Sequence, residues 1–275
     1  MGIVVSIPVF DFSMNNHNLE EVCKMNKELF FSGMRTMVLG IGVSALVVGC
    51  SGGEEEVGPA PEVGDGTVSG MISFEGEAPE RTVIEAEGDE ICAAMHADAP
   101  LLSERTIVST VGELANVFVY VTNPPEGEYA APEESVKLNQ VGCTYIPHVL
   151  GVQVGQPLEL VNSDDTLHNV RGVARKNKAM NYAQPAGSKP RTKTFKKEEM
   201  SIRMKCDLHP WMTAYVFAMG HPYFGISDES GAFRIEGLPT GDYEVTAWHE
   251  QFGEKTGTVT VDESGTGKVD FTFSS

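Results

Sequence analysis

Apolar residues recur at every second position along much of the chain from Thr67 onward. Val68, Ile72 and Phe74 keep this spacing, as do Val117, Val119 and Val121 in N-V-F-V-Y-V-T. So do Tyr243, Val245 and Ala247, and Val269, Phe271 and Phe273. In S-I-R-M-K-C, Ile202, Met204 and Cys206 share one face, while Ser201, Arg203 and Lys205 share the other. A period of two marks a strand with one buried face. Turn chemistry separates the runs: D-E-S-G at 228–231, P-T-G-D at 239–242 and D-E-S-G-T-G at 262–267. The repeated D-E-S-G reads as turn chemistry, not as a duplicated domain. One short helix is predicted, around Glu85 to His96. The fold class is therefore all-β and sandwich-like, which suits a chain with 29 glycines and 15 prolines.

Chemistry concentrates in Cys206-Asp207-Leu208-His209-Pro210-Trp211-Met212. A strand delivers Cys206 on its core face, and a Pro-containing loop then supplies an imidazole and a thioether. A second imidazole stands in Ser163-Asp164-Asp165-Thr166-Leu167-His168-Asn169-Val170, after a turn and strand at 155–162. Thiolate, two imidazoles and a thioether form a soft ligand set that suits copper in both oxidation states. A lone Cys or Met would read as core packing; four such residues in this order and spacing read as a site. His96, His148, His221 and His249 have no partner spacing of this kind and read as structural or surface residues.

The stretch V-G-Q-P-L-E-L-V-N-S-D-D-T-L-H-N-V and the loop C-D-L-H-P-W-M resemble the cupredoxins, the small blue copper proteins. The Cys-x₂-His-x₂-Met spacing is most similar to the amicyanins. The resemblance covers 135–219 and implies a Greek-key β-sandwich that holds one type 1 copper and passes single electrons. It implies His168, Cys206 and His209 as equatorial ligands and Met212 as the axial one. It also implies that Asn169 ties the two ligand loops together by hydrogen bonds. Pro210 and Trp211, beside His209, are expected to form the electron-transfer surface, with the His209 edge facing a partner. The long basic stretch beyond Arg171 and the position of Cys143 depart from the family pattern.

Residues 231–245, G-A-F-R-I-E-G-L-P-T-G-D-Y-E-V, resemble carboxypeptidase regulatory-like or prealbumin-like sandwiches, and 66–74 look like the first strand of such a fold. The expected organisation is an upstream extension and signal segment (1–49), a linker (50–66), an N-terminal β segment (67–134), the cupredoxin part (135–219) and a C-terminal β segment (220–275). Either the cupredoxin part is inserted into the second sandwich, or the two stand in tandem.

From Met34 the chain runs M-R-T-M-V-L-G-I-G-V-S-A-L-V-V-G-C-S-G-G. A positive residue, an apolar run too short for a comfortable membrane span, and Val47-Val48-Gly49-Cys50 resemble a bacterial lipoprotein signal with lipidation at Cys50. This implies an exported, membrane-anchored protein, periplasmic or on the cell surface, with Ser51 mildly favouring the outer membrane. In an oxidising compartment Cys92 and Cys143 then stand either as a disulfide or as two buried thiols.

The formal charge of −19 argues against nucleic-acid binding. Of the 17 Lys and Arg in residues 50–275, eleven lie from Arg171 to Lys205. They read as a solvated, lysine-rich loop or as a docking surface for an acidic redox partner. An electron carrier is the expected function. Copper delivery without electron transfer, or a surface interaction module with a degenerate copper site, are the alternatives. An enzyme would call for a second copper centre or an open coordination position, and the scattered remaining histidines suggest neither.

Overall fold

The computed structural model describes residues 61, 63–86 and 88–275. The expected signal segment, the lipidation at Cys50 and most of the linker lie outside the described residues. Among these, no helix is long and apolar enough to cross a membrane.

The described chain opens with β1 (Gly66–Glu75), α1 (Glu90–Met95) and β2 (Phe118–Val121). Nine strands follow: β3 (Val136–Val141), β4 (Thr144–Ile146), β5 (Val149–Gln153), β6 (Pro157–Asn162), β7 (His168–Val173), β8 (Met180–Gln184), β9 (Arg191–Thr194), β10 (Glu199–Lys205) and β11 (Thr213–Met219). The chain closes with β12 (Phe224–Ile226), β13 (Ala232–Leu238), β14 (Gly241–His249), β15 (Gly253–Val261), β16 (Thr266–Lys268) and β17 (Phe271–Ser274). The all-β class read from the periodicity is observed.

Strands β3 to β11 form two sheets, ordered β5-β11-β10-β7-β8 and β4-β3-β6-β9. Their core includes Leu138, Leu158, Leu160, Val170, Ile202 and Met204, and it reaches Cys206 and Met212 at one end. A second pair of sheets draws on both ends of the chain. β1 pairs antiparallel with β13 and parallel with β16 and β17, while β2 lies between β12 and β14. Val68, Ile72, Val119, Val121, Val245 and Phe273 share its separate core.

The two sandwiches meet through a third cluster. Phe118 of β2 stacks on Phe217 of β11 with ring centroids 3.9 Å apart, and Val149 and Met219 join them. β2 is therefore buried on both faces, which its alternating pattern alone did not disclose. Burying an aromatic of this size contributes about 1.5–3 kcal/mol. Gly151 of β5 is required here, because a Cβ would come within 2.3 Å of the Phe224 ring.

Residues 76–86 and 88–116 form a flap between β1 and β2, with α1 and isolated bridges as its regular structure. The helix is shorter than the predicted 85–96. Asp89 caps its N-terminus, its Oδ1 accepting from the backbone N–H groups of Ile91 and Cys92, both at 2.9 Å. Six residues cannot hold a helix unaided. A Cys92–Cys143 disulfide ties this one to the β3–β4 hairpin.

The basic stretch is built of strands rather than of one long loop. β8 and β9 lie within it, and the buried carboxylate of Glu199 gathers the backbone N–H groups of Arg175 and Asn177. Arg171, Arg175, Lys176, Lys178, Lys189, Arg191, Lys196, Lys197 and Arg203 are exposed.

Candidate metal centre

β7 begins at His168 and β10 ends one residue before Cys206, and these strands are paired neighbours in one sheet. The pairing brings together side chains 38 positions apart in sequence. After Cys206 the chain folds back on itself: Met212 N–H donates to the His209 carbonyl at 2.9 Å, and Cys206 N–H to the Met212 carbonyl at 3.3 Å. This closed loop sets His209 beside Cys206.

The Cys206 sulfur and one ring nitrogen each of His168 and His209 lie within 4.8 Å of one another. The two Nδ1 atoms are 2.9 Å apart, and Cys206 Sγ is 3.6 Å from His209 Nδ1. These spans suit three donors sharing a centre about 2.0–2.3 Å from each. All three side chains are buried: His168 0%, Cys206 2% and His209 3% exposed. Met212 is buried in the same core cluster as Cys206.

The outer ring nitrogens decide what the inner ones offer. His168 Nε2 is 2.9 Å from Asp164 Oδ2, and His209 Nε2 is 3.3 Å from Asp89 Oδ2. A carboxylate only accepts, so each Nε2 carries a proton and each ring turns its Nδ1 inward. Two lone pairs 2.9 Å apart in a buried space call for a cation or a proton between them. The donor chemistry therefore fits a metal, and carboxylates on both imidazoles are the outer support such a site uses.

Asp164 is itself well fixed. It accepts from the backbone N–H groups of Gly142 at 2.7 Å and Cys143 at 2.8 Å. Gly142 and Cys143 form the β3–β4 turn with φ of 63° and 55°, so the carboxylate also supports a left-handed turn that costs a non-glycine residue free energy. Asn169 bridges the ligand segments: its Oδ1 accepts from Asp207 N–H at 2.7 Å and lies 3.3 Å from Cys206 Sγ. Its Nδ2 donates to Asn181 and Asp207.

Without a metal the buried donors behave as an ion pair. Burial opposes charge on His168, but Asp164 and Cys206 outweigh it and hold its pKa up at about 9. Burial likewise pushes the Cys206 thiol up, and the His168 contact overcomes this and brings it down to about 6. A thiolate is the form that binds a metal.

The surface expected beside His209 differs from its sequence reading. His209 does not meet solvent: Asp89 and the flap cover its outer edge. Trp211 is half-buried, its indole N–H donating to the Cys143 carbonyl at 3.0 Å and its ring packed against the disulfide. Pro210 and Leu208 are exposed. The reason is the flap, which follows from no motif. Cys92 Sγ stands within 4.8 Å of a His209 ring nitrogen, and Cys143 Sγ within 4.8 Å of one of His168; joined as a disulfide, neither is a ligand. Sequence reasoning missed Asp89 and Asp164. The Asp164-x₃-His168 spacing was available as a signal for one. The other lies 120 residues from His209 and had none.

Fold and site together define an all-β protein of two sandwiches, one of which holds a buried Cys–His–His donor set. Residues 212–274 match the family model of the carboxypeptidase regulatory-like domain, starting at Met212 and so taking in β11. Comparison with curated proteins gives no match. Similar solved structures include a Cu-containing nitrite reductase from Thermus scotoductus SA-01, at 22% identity and TM-score 0.30. That match covers 34% of this chain and only 24% of the reductase. A novel purple cupredoxin from Nitrosopumilus maritimus matches at 21% identity and TM-score 0.26, covering 30% of this chain and 98% of its own. A reduced amicyanin variant matches at 19% identity and TM-score 0.28, covering 37% and 98%. At these TM-scores the site's own geometry, not the likeness, carries the reading below.

Proposed function

We propose that the protein is a copper-binding electron carrier, with His168, Cys206 and His209 as equatorial ligands and Met212 as the axial one. The single observation behind this is the convergence of His168 Nδ1 and His209 Nδ1, 2.9 Å apart, beside the buried Cys206 sulfur, with a carboxylate at the outer nitrogen of each ring. A Cys–His–His set alone would also serve zinc, but a thioether in the same loop favours copper. When bound, copper would supply a one-electron couple. The chain's part is to hold the donors: Asp164 and Asp89 fix both ring tautomers, Asn169 joins the ligand strands, and the sandwich core and the flap exclude water. A site prepared in this way needs little rearrangement between oxidation states.

In this reading the strands β3 to β11 are an insertion in a carboxypeptidase regulatory-like sandwich, which acts as scaffold. The basic face from Arg171 to Lys205 speeds encounter with an acidic redox protein, and lipid on Cys50 holds the protein at the outside of a bacterial membrane, the outer membrane being favoured. Arg171 and Lys205, paired with Asp207 at 3.3 and 3.5 Å, would put this charge beside the ligand loop.

The test is to load the full chain with Cu(II) and record its visible spectrum before and after mild reduction. An intense band, lost reversibly on reduction and absent from Cys206→Ser, is expected. Stoichiometric copper with no such band would end the thiolate–copper reading.

A further inference from the structure

The Cys92–Cys143 disulfide lies against the candidate metal centre with donor groups on both flanks. On one flank, Cys92 Sγ, a carboxylate oxygen of Asp89 and a ring nitrogen of His209 all lie within 4.8 Å of one another. On the other, Cys143 Sγ, an oxygen of Asp164 and a ring nitrogen of His168 do the same. Both cysteines are fully buried. Because their sulfurs are joined, two sulfurs and two carboxylates gather at one place, outside the Cys206 donor set.

The chain holds these donors together by more than the sulfur–sulfur bond. Each cysteine is tied to its own aspartate through its backbone: Cys92 N–H donates to Asp89 Oδ1 at 2.9 Å, and Cys143 N–H to Asp164 Oδ2 at 2.8 Å. The flap is also fastened to the β3–β4 turn by His96 Nε2, 2.9 Å from the Gly142 carbonyl. Asp89 reaches the segment of His168 through the Thr166 hydroxyl at 3.0 Å. A dithiol reductant that gives up two electrons and two protons closes to its own disulfide and leaves the Cys92 and Cys143 thiols. Those thiols would face two carboxylates that only accept. A divalent cation that displaces both thiol protons would leave two thiolates and two carboxylates around it. Sulfur at about 2.3 Å and carboxylate oxygen at about 2.0–2.2 Å, four in all, is a zinc-type donor set. Asp89, its side chain 22% exposed, is the most open of the four donors and marks the way in.

We infer that Cys92 and Cys143, when reduced, join Asp89 and Asp164 in a second metal site, which takes a zinc-type divalent cation. The inference needs no copper at Cys206. It gives the link between α1 and the β3–β4 turn two forms, a disulfide under oxidising conditions and a bridging ion under reducing ones. In both, the flap stays over His209.

The experiment uses the full chain with Cys23→Ser, Cys50→Ser and Cys206→Ser, so that Cys92 and Cys143 are its only cysteines. One sample is kept oxidised. The other is reduced with dithiothreitol, which is removed without air before metal is added. Co(II) is the probe, because a thiolate bound to it gives an intense charge-transfer band. The reduced chain is expected to gain that band, saturating at one Co(II) per chain, and the oxidised chain to show none. Asp89→Asn keeps the helix cap, since asparagine caps as well as aspartate. It should weaken Co(II) by at least about tenfold, the least that losing even an outer support costs. Zn(II) should displace Co(II) and slow proteolysis of the reduced flap. A reduced chain without the band, or a flap cut equally fast with and without Zn(II), overturns the inference. So does an Asp89→Asn chain of unchanged affinity, because an opened chain that merely gathers two thiols would not need Asp89. None of these results touches the copper reading, which is tested on the chain that keeps Cys206. Loss of the copper band there leaves the second site standing.

Discussion

Replacing Asp164 with asparagine isolates the tautomer that the metal centre depends on. In the wild-type chain one carboxylate serves three buried donors: Gly142 N–H, Cys143 N–H and His168 Nε2–H, at 2.7, 2.8 and 2.9 Å. Asparagine keeps the shape and turns one oxygen into a donor. With the amide oxygen toward Gly142, the new NH₂ faces the Cys143 N–H and His168. The ring is then driven to accept at Nε2, which moves its proton to Nδ1, the atom 2.9 Å from His209 Nδ1. Orphaning one or two buried donors costs about 1–3 kcal/mol each, partly offset because a charge is no longer desolvated, so a net loss of about 2–4 kcal/mol is expected. A proton on the ligand atom must be displaced before metal binds, and loss of such outer support weakens metal by about 10–100-fold. Denaturation of the metal-free protein reads the first quantity, and competition with a copper chelator reads the second. An Asp164→Asn protein with an unchanged midpoint and copper affinity within about twofold of wild type would refute the reasoning.

Asn169→Ala removes the bridge between the ligand strands; stability should fall by about 1–3 kcal/mol and the thiolate–copper band should move in energy, which a visible spectrum at saturating copper reads. Replacing both Cys92 and Cys143 with alanine opens a closed loop spanning 51 residues; chain entropy predicts a loss of about 4 kcal/mol in denaturant titrations, together with faster proteolysis of the flap. His221 and His249 are buried in the second sandwich, and burial pulls both pKa values down to about 4. Their folded values lie below the unfolded one, so each contributes stability that is present above about pH 6.5 and is lost as pH falls toward 4. Between pH 6.5 and 5 the slope should approach about 1.4 kcal/mol per pH unit for each imidazole. A His249→Phe protein should lose one imidazole's share of that slope, and an unchanged slope would show that His249 does not titrate in this range.

The features legible in the sequence were those carried by local pattern. Alternation disclosed the strands, and the loop spacing pointed to Cys206 and His209, whose donor atoms the structure brings together with one of His168. His168 was legible because its own segment has the turn and strand that deliver such a ligand. What stayed hidden depends on contacts between distant segments. Phe118 reads as the polar-side residue of a half-buried strand until β11 brings Phe217 against it. Asp89 reads as a helix cap, which it is, but its second oxygen reaches His209 only because the Cys92–Cys143 link carries α1 across to the ligand loop. His148 and Glu250 are 102 residues apart, one in each sandwich, and no local periodicity pairs them.

Covering His209 alters what the rest of the site has to do. An imidazole edge open to water would offer an electron route but would leave its Nε2 proton shared with solvent and its tautomer loosely set. Here Asp89 Oδ2 fixes that tautomer, and Thr166 donates to the same oxygen at 3.0 Å. The carboxylate is therefore tied both to the flap, through the helix N-terminus, and to the segment that carries His168. Any movement of the flap that frees the His209 edge must also strip the hydrogen bond from Thr166, about 0.5–1.5 kcal/mol, while the capping bonds travel with α1. With the disulfide intact, opening is further restrained by a covalent link. On the electron-carrier reading proposed above, exchange would be directed to the sides of the ligand loop that remain accessible: the exposed Leu208 and Pro210 tip, and the cavity walled by Trp211 and Met212.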